Sequence, residues 1–378
     1  MTEQTRKELD VLEVKGTPLE MGRQHGEAKR ELIKQIIVDL REALCFQPFT
    51  GSGLSEQALM QEVRTYIPPM EAWAPRITDE IRGISQGADV SYEDAFMLLI
   101  SFATGGMLLK AVDWRTPQKY IAPAAQGGCT CFAVLSDVTA DGETLIGQTV
   151  DWYPHFAKYW FVLKAKPDKG PSILAATVAG LIPVGTGVNS AGISVNYNFL
   201  ATPKAQYGVE SLAIGRVLLE QERLGDCIAY AINAPRANAW GWLIADENEA
   251  FVMEVTSTDA EVFSAEDGIL VHSNCFITSR FKAEGDLGLL LLPDSAIRLA
   301  HLKRLLKKKS GQITLDYIKE CYTDHEDFPT SICRHPLPGV PDRANMCSNA
   351  MIVTKPKERK LYLTPYPVCE HTLVEYST

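Results

Sequence analysis

The chain has 378 residues, 46% of them hydrophobic and 22% charged, with a formal net charge of −10 at pH 7. That is globular composition with ample apolar content for a large core, and the length accommodates one large domain or two. The acidic balance excludes a broad basic surface: the basic clusters Lys303-Arg304 and Lys307-Lys308-Lys309 fall on an expected helix and read as a solvated face, so nucleic-acid binding is disfavoured.

The N-terminus, Met1 to Glu8, is polar and has no apolar signal-peptide core. The apolar run Ala95–Ile100 is far too short to cross a bilayer and reads as buried helix, so no membrane partner is expected. Nine cysteines, an odd number without regular spacing, argue against a disulfide framework and for a reducing, cytoplasmic location. Cys129 and Cys131 are i, i+2 neighbours on one strand face, but no second pair with zinc-like spacing accompanies them; no metal and no cofactor is expected.

In sequence order, a short strand, Leu9 to Lys15, leads into a helical stretch from Leu19 to Leu44 with apolar residues at Ile33, Ile36, Ile37, Leu40 and Leu44. Ser55-x-x-Ala58 and Ser91-x-x-Asp94 mark further helix starts, and a looser stretch, Trp114 to Ala125, connects to Gly127-Gly128. After Cys129 strands dominate: Cys131–Leu135, Thr144–Val150, Trp160–Ala165, Ile173–Val178, Ile193–Asn198, Gly241–Ala245, Ala250–Glu254 and Glu261–Phe263. The turn Thr139–Glu143 joins the first two as a hairpin. Helices are expected over Leu212–Ala231, Ser295–Lys308 and Leu315–Thr323, and closing strands over Ala350–Thr354 and Lys360–Thr364. Strands clustered around helical pairs imply two packed sheets covered by helices.

The chemistry centres on Gly127-Gly128-Cys129-Thr130-Cys131-Phe132. Paired glycines allow the peptide bond before Cys129 a strained geometry, as a self-cleaving amidase requires. The thiol attacks that bond; cleavage turns Cys129 into an N-terminus whose α-amine, with a reference pKa of about 8, serves as base for its own thiol. Three more segments set polar groups in strand-like surroundings: Thr149-Val150-Asp151-Trp152, Val271-His272-Ser273-Asn274-Cys275 and Phe328–Arg334.

Gly-Cys-Thr, Gly147-Gln148-x-x-Asp151, His272-x-Asn274, Ser331-Ile332-Cys333-Arg334 and the intervening Gly187–Asn198 segment together resemble the acyl-coenzyme A:6-aminopenicillanate acyltransferase family of N-terminal-nucleophile hydrolases. The N-terminal part matches through Gly16-x-x-x-Glu20-x-Gly22-x-x-x-Gly26. The resemblance implies an α+β fold, an αββα four-layer sandwich. It implies cleavage between Gly128 and Cys129 into residues 1–128, a largely helical segment retained after the cut, and residues 129–378, the catalytic fragment, both packing into one domain. Cys129 is then the nucleophile, Asp151 orients the new amine, Asn274 donates to the oxyanion, and Arg334 pairs with Asp151 or a nearby carboxylate. Asn196 and Tyr197 are the expected substrate-binding residues, and the Asn196-Tyr197-Asn198 segment is the expected source of the second oxyanion donor. The partners implied are a small N-acyl substrate and the two cleavage fragments themselves, with self-assembly into a homo-oligomer left open.

A papain-like arrangement of Cys129, His272 and Asn274 has the right order, but such sites place the cysteine at a helix N-terminus, whereas strand residues follow Cys129. No Gly-x-Ser-x-Gly elbow is present, and Gly185-Thr186-Gly187 lacks the third glycine of a dinucleotide fingerprint because residue 190 is serine. Without a phosphate-binding loop, hydrolysis is favoured over transfer from coenzyme A. The alternative is an uncut or catalytically silent binding protein of the same fold.

Overall fold

The structure, a computed structural model, describes residues 5–46, 55–110, 128–342 and 345–378. Its strands are β1 (Val11–Gly16), β2 (Thr130–Val134), β3 (Leu145–Trp152), β4 (Trp160–Pro167), β5 (Ile173–Val178), β6 (Gly187–Asn189), β7 (Ser194–Phe199), β8 (Trp240–Ala245), β9 (Ala250–Val255), β10 (Ala260–Ser264), β11 (Ile269–His272), β12 (Cys347–Lys355), β13 (Lys360–Pro365) and β14 (Val374–Ser377). Its helices are α1 (Pro18–Ala28), α2 (Arg30–Phe46), α3 (Glu56–Trp73), α4 (Pro75–Ala88), α5 (Tyr92–Lys110), α6 (Ser211–Leu218), α7 (Leu224–Asn233), α8 (Ser279–Gly285), α9 (Leu287–Leu291), α10 (Asp294–Lys308) and α11 (Leu315–Tyr322).

The strands form an eight-stranded sheet, β1-β4-β5-β6-β7-β8-β9-β10, and a six-stranded sheet, β11-β2-β3-β12-β13-β14. Strand β2 is apolar on both faces, and its period of two sorts its residues between two cores. Cys131 and Ala133 face the other sheet and pack with Ile146 against Leu243, Ala245 and Val252. Phe132 and Val134 face outward onto Leu302 and Leu306 of α10 and Ile318 and Tyr322 of α11. The far side of the eight-stranded sheet is covered by α1, α6 and α7. The layer order is therefore αββα, as the family resemblance implies.

The N-terminal segment is built into these layers. Strand β1 pairs in parallel with β4, register Val11 to Val162. Thr17 and Glu20 form a capping box at the start of α1. Helices α1 and α4 then cross with their backbones almost touching: a Cβ on Gly22 would lie 1.9 Å from the Glu80 carbonyl oxygen, and one on Gly87 would lie 2.2 Å from that of Arg23. Gly22 and Gly26, which carry the N-terminal part of the resemblance, thus mark a packing seam, with Gly83 and Gly87 opposite. Behind it, Arg216 of α6 donates to Glu80 of α4 at 2.9 Å with both side chains buried, tying residues on either side of position 128 together.

Where element boundaries differ from expectation, local backbone geometry or a polar contact is the cause. The stretch Leu19–Leu44 is two helices, broken at Lys29, whose backbone leaves the helical region at φ −116°, ψ 18°. The stretch Leu212–Ala231 is also two helices, because the Asn189 side chain takes the carbonyls of Leu219 (3.0 Å) and Gln221 (2.6 Å). Strands β6, β11 and β14 are too short for their alternation to announce them. Trp114 to Ala125, and Gly127, lie outside the described residues.

His25 of α1 is buried, edge-on to Phe161 at 5.2 Å, and its Nε2 accepts the Gly180 N–H at 3.1 Å. Burial, reinforced by Lys29, pushes its pKa down to about 3. The unfolded polypeptide takes up this proton near pH ~6.5 and the folded one does not, so the stabilisation is complete above that pH and is lost as pH falls toward the folded value. We expect His25→Gln to remove up to about 1.4 kcal/mol per pH unit from the acid-side slope of stability, read from urea unfolding between about pH 6 and 4. Equal slopes in the two proteins would contradict this.

Candidate active site

Six parts of the fold converge on the start of β2. The β2–β3 register sets Thr130 opposite Thr149, which brings Asp151, at the end of β3, beside Cys129. Strand β12 pairs with β3, Ser348 opposite Asp151, with a bulge between Ser348 and Ala350. Strand β7 contributes Asn198, the turn after β11 contributes Asn274, and the first turns of α10 contribute Asp294 and Arg298. Arg334 arrives on the irregular segment before β12, its backbone N–H donating to Ser348 Oγ at 3.0 Å.

The backbone N–H of Cys129 donates to Asn274 Oδ1 at 2.7 Å, and Arg298 Nη2 donates to the same oxygen at 3.2 Å. Two donors on one atom fix the amide's orientation, so Asn274 Nδ2 points away and donates to the Phe199 carbonyl at 2.9 Å. The Cys129 carbonyl accepts from Asn198 Nδ2 at 2.8 Å and from Arg298 Nη1 at 3.1 Å. Both backbone polar groups of Cys129 are thus held by side chains. Gly128 is required here by space: a Cβ would lie 2.0 Å from Asn274 Oδ1 and 2.9 Å from Arg298 Nη2.

Behind the cysteine runs a row of alternating buried charges. Ser348 Oγ donates to Asp151 Oδ1 at 2.7 Å, and Arg334 Nε stands 3.5 Å from Asp151 Oδ2. Arg334 Nη2 donates to Asp294 Oδ2, which also accepts from Arg298 Nε at 2.8 Å. None of the four charged residues is more than 7% exposed, and two carboxylates balance two guanidiniums. Burial pushes Asp151 above the usual carboxylate range, against the pull of Arg334, Arg298 and Ser348. Asp294, although buried, sits below that range because Arg298 and Arg334 both neutralise it. Burial, with the Asp151 charge, pushes the Cys129 thiol up to about 12.

Cys129, Asp151, Asn274 and Arg334 therefore lie in one contiguous cluster. Asn196 and Tyr197 lie on β7, outside the hydrogen bonds that hold Cys129. Asn196 is buried on β7 with both amide atoms unpartnered among the described residues, and it is Asn198, two positions on, that reaches Cys129. Tyr197 packs against Trp240 with centroids 5.7 Å apart, while its backbone N–H donates to Gln148 Oε1 and its carbonyl accepts from Cys131 Sγ at 3.2 Å. His272 is engaged through both ring nitrogens, Nδ1 to Asn198 Oδ1 at 2.9 Å and Nε2 to Glu254 Oε1 at 3.0 Å, which removes the papain-like arrangement. Sequence reasoning named Asn198 only as the end of the Asn196-Tyr197-Asn198 segment, and did not single out Asp294, Arg298 or Ser348. Of these, Asp294-x-x-x-Arg298 carries a sequence signal, an opposite-charge i, i+4 pair at the start of an expected helix.

Residues 138–364, more than half of the chain, match the profile of the family described as acyl-coenzyme A:6-aminopenicillanic acid acyl-transferase. The chain belongs to this family. Within the acyltransferase family's wider relatives, it is 27% identical over 323 residues to the acyl-coenzyme A:6-aminopenicillanic-acid-acyltransferase 40 kDa form of Emericella nidulans, covering 84% of this chain and 83% of that protein. It is 24% identical over 267 residues to an uncharacterized protein of Archaeoglobus fulgidus, covering 65% of this chain but spanning only 43% of that relative. Among solved structures, a mutant of the conjugated bile acid hydrolase from Clostridium perfringens is similar at a TM-score of 0.44 and 13% identity, covering 66% of this chain and 97% of that one. The Caenorhabditis elegans N-acylethanolamine-hydrolyzing acid amidase ortholog is similar at 0.41 and 14%, covering 60% and 93%. The matched region of the acyltransferase family begins beyond Cys129, so the part played by that residue is argued from the geometry above.

Asp294 holds both arginines, so its loss leaves two buried cations with one carboxylate between them. We expect Asp294→Ala to lower stability by about 3–5 kcal/mol. Arg298→Ala in that background should cost less than it does alone, by a coupling of about 0.5–3 kcal/mol, measured by a double-mutant cycle in urea. Additive losses would show that the two residues do not interact.

Proposed function

We propose that the protein is a cysteine amidohydrolase that cuts itself between Gly128 and Cys129 and then hydrolyses a small N-acyl amide through a thioester on Cys129. The observation that carries this reading is the hydrogen bond from the Cys129 N–H to Asn274 Oδ1, 2.7 Å long and buried beside a charge-balanced cluster. After cleavage that nitrogen is the α-amine, already held next to its own thiol.

In the first reaction the Cys129 thiol adds to the Gly128 carbonyl carbon. The C–N bond breaks, the thiol proton goes to the departing nitrogen, and the Gly128 acyl group is left on sulfur. Water then hydrolyses that thioester, releasing the Gly128 carboxylate and restoring the thiol. The high thiol pKa in the uncut protein leaves little thiolate at neutral pH, so the cut depends on positioning, which the contacts to Gly128, Asn274 and Arg298 favour. In turnover the free α-amine takes the thiol proton as sulfur attacks the substrate carbonyl, and passes it to the leaving amine; water completes the cycle.

Asp151, compensated by Arg334, orients the amine electrostatically. Asn274 holds it through Oδ1 and serves the oxyanion through Nδ2 once that group exchanges the Phe199 carbonyl for the substrate oxygen. Asn198 Nδ2, on the Cys129 carbonyl, is the nearest further donor and the member of the Asn196-Tyr197-Asn198 segment that takes this role. The likeness to the Emericella nidulans acyltransferase supports acyl transfer through the same site, with water as the acceptor proposed here.

Intact mass of the purified protein should show two species, the larger beginning at Cys129, and Cys129→Ala should remain whole. A processed Cys129→Ala protein would remove Cys129 as the nucleophile. An uncut wild-type protein with an unreactive Cys129 would support a binding protein of the same fold.

A further inference from the structure

On either side of Arg334 in the chain, and from the turn after β13, two cysteines and two histidines meet: His325, Cys333, His335 and Cys369, with one donor atom of each within 4.8 Å of all the others. We propose that these four side chains form a tetrahedral zinc site that pins the Arg334 segment to the turn that follows β13. The proposal is independent of the chemistry assigned to Cys129.

The distances match the ion. His335 Nε2 lies 3.1 Å from His325 Nε2, 3.5 Å from Cys333 Sγ and 3.6 Å from Cys369 Sγ. A zinc ion with Zn–S of about 2.3 Å and Zn–N of about 2.0–2.1 Å requires edges of roughly 3.3–3.8 Å between tetrahedral donors. The three edges from His335 already stand near those separations, and the other three lie within 4.8 Å. Two imidazoles and two thiols form a Cys2His2 set, which suits zinc over the hard cations that take oxygen ligands.

The surrounding backbone shapes the cluster. Phe328 N–H bonds the His325 carbonyl at 3.0 Å, Cys333 N–H bonds the Asp324 carbonyl at 3.2 Å, and His335 N–H bonds the Pro329 carbonyl at 3.0 Å. These bonds fold residues 324–335 back on themselves, so that three ligands from one segment face one point. The fourth comes from the turn after β13, where the buried Lys319 ammonium holds the Val368 carbonyl next to Cys369 and Thr364 Oγ1 at 3.4 Å. Cys333 is buried while His325 is exposed, which gives an ion a route in from solvent. Among the described residues, which include all nine cysteines, no disulfide is formed. Binding would displace the two thiol protons and leave a neutral zinc dithiolate. Because Cys333 immediately precedes Arg334, a filled site would fix the backbone from which Arg334 reaches Asp294. Spacing did not reveal the site, since its ligands are His-x7-Cys-x-His followed by a cysteine thirty-four residues further on.

The test uses the full-length protein purified under reducing conditions. Elemental analysis should find one zinc per protein molecule. Cobalt substitution should give thiolate-to-cobalt charge-transfer absorption together with the intense visible bands of tetrahedral cobalt. Cys369→Ser should lose both signals, and Cys45→Ser, remote from the cluster, should keep them. His325→Ala, at the exposed edge where the fold does not need the side chain, should weaken zinc affinity at least about tenfold, since even outer-shell changes cost that much. Three results would overturn the site. One is a reduced protein that carries no metal and gives no tetrahedral cobalt spectrum on titration. Another is a Cys333–Cys369 disulfide in non-reduced peptide maps. The third is unchanged zinc content in the Cys369→Ser, His325→Ala double variant.

Discussion

The row of charges Asp151, Arg334, Asp294 and Arg298 is the constraint around which the site is arranged. Each member is buried, and each is tolerable only because its neighbour carries the opposite sign. No two adjacent members come from the same element except Asp294 and Arg298, so the row closes only when β3, α10 and the segment before β12 are all in place. The two ends of the row have different tasks. At one end Asp151 sets the potential at the Cys129 thiol; at the other Arg298 grips the Cys129 carbonyl, the Thr130 hydroxyl and Asn274. Cys129 is thereby held through both its backbone N–H and its carbonyl.

The same logic of mutual compensation holds the N-terminal segment. The α1–α4 seam lets two backbones approach at glycine-only distance, and the Arg216–Glu80 pair sits directly behind it. Strand β1 adds a row of backbone hydrogen bonds at the edge of the eight-stranded sheet. A polypeptide cut before Cys129 would retain all of these contacts, because none depends on the peptide bond at that position. Under the proposed cleavage these contacts would keep the two fragments together.

Much of this was legible in the sequence, for physical reasons. The unbroken apolar run Cys131–Val134 fits a strand buried on both faces, and the Gly-Cys-Thr junction needs a small residue at 128 because Asn274 and Arg298 press against it. Cys129, Asp151, Asn274 and Arg334 could be named because they stand in short recurring segments. Ser348 could not, and Asn198 only as the end of a segment, because their parts arise from register: each lies opposite or beside a site residue only once the sheets form. The break after Leu218 was invisible for the same reason, since the Asn189 side chain that ends α6 comes from a strand thirty residues earlier. The cysteine–histidine cluster is a still longer-range product of folding, assembled from residues 325 to 369.

In the proposed mechanism, cleavage changes the chemistry of one thiol by giving it an amine, with its surroundings unchanged. The most direct measurement is the pH dependence of iodoacetamide labelling at Cys129, read by peptide mass spectrometry in a preparation that still contains some uncut protein. Peptides beginning at Cys129 and peptides spanning Gly128–Cys129 report the two states side by side. The account predicts rapid labelling of the new N-terminal cysteine near neutral pH, and labelling of the spanning peptide only as pH approaches the raised thiol value of about 12. Equal labelling of the two peptides across the pH range would contradict it.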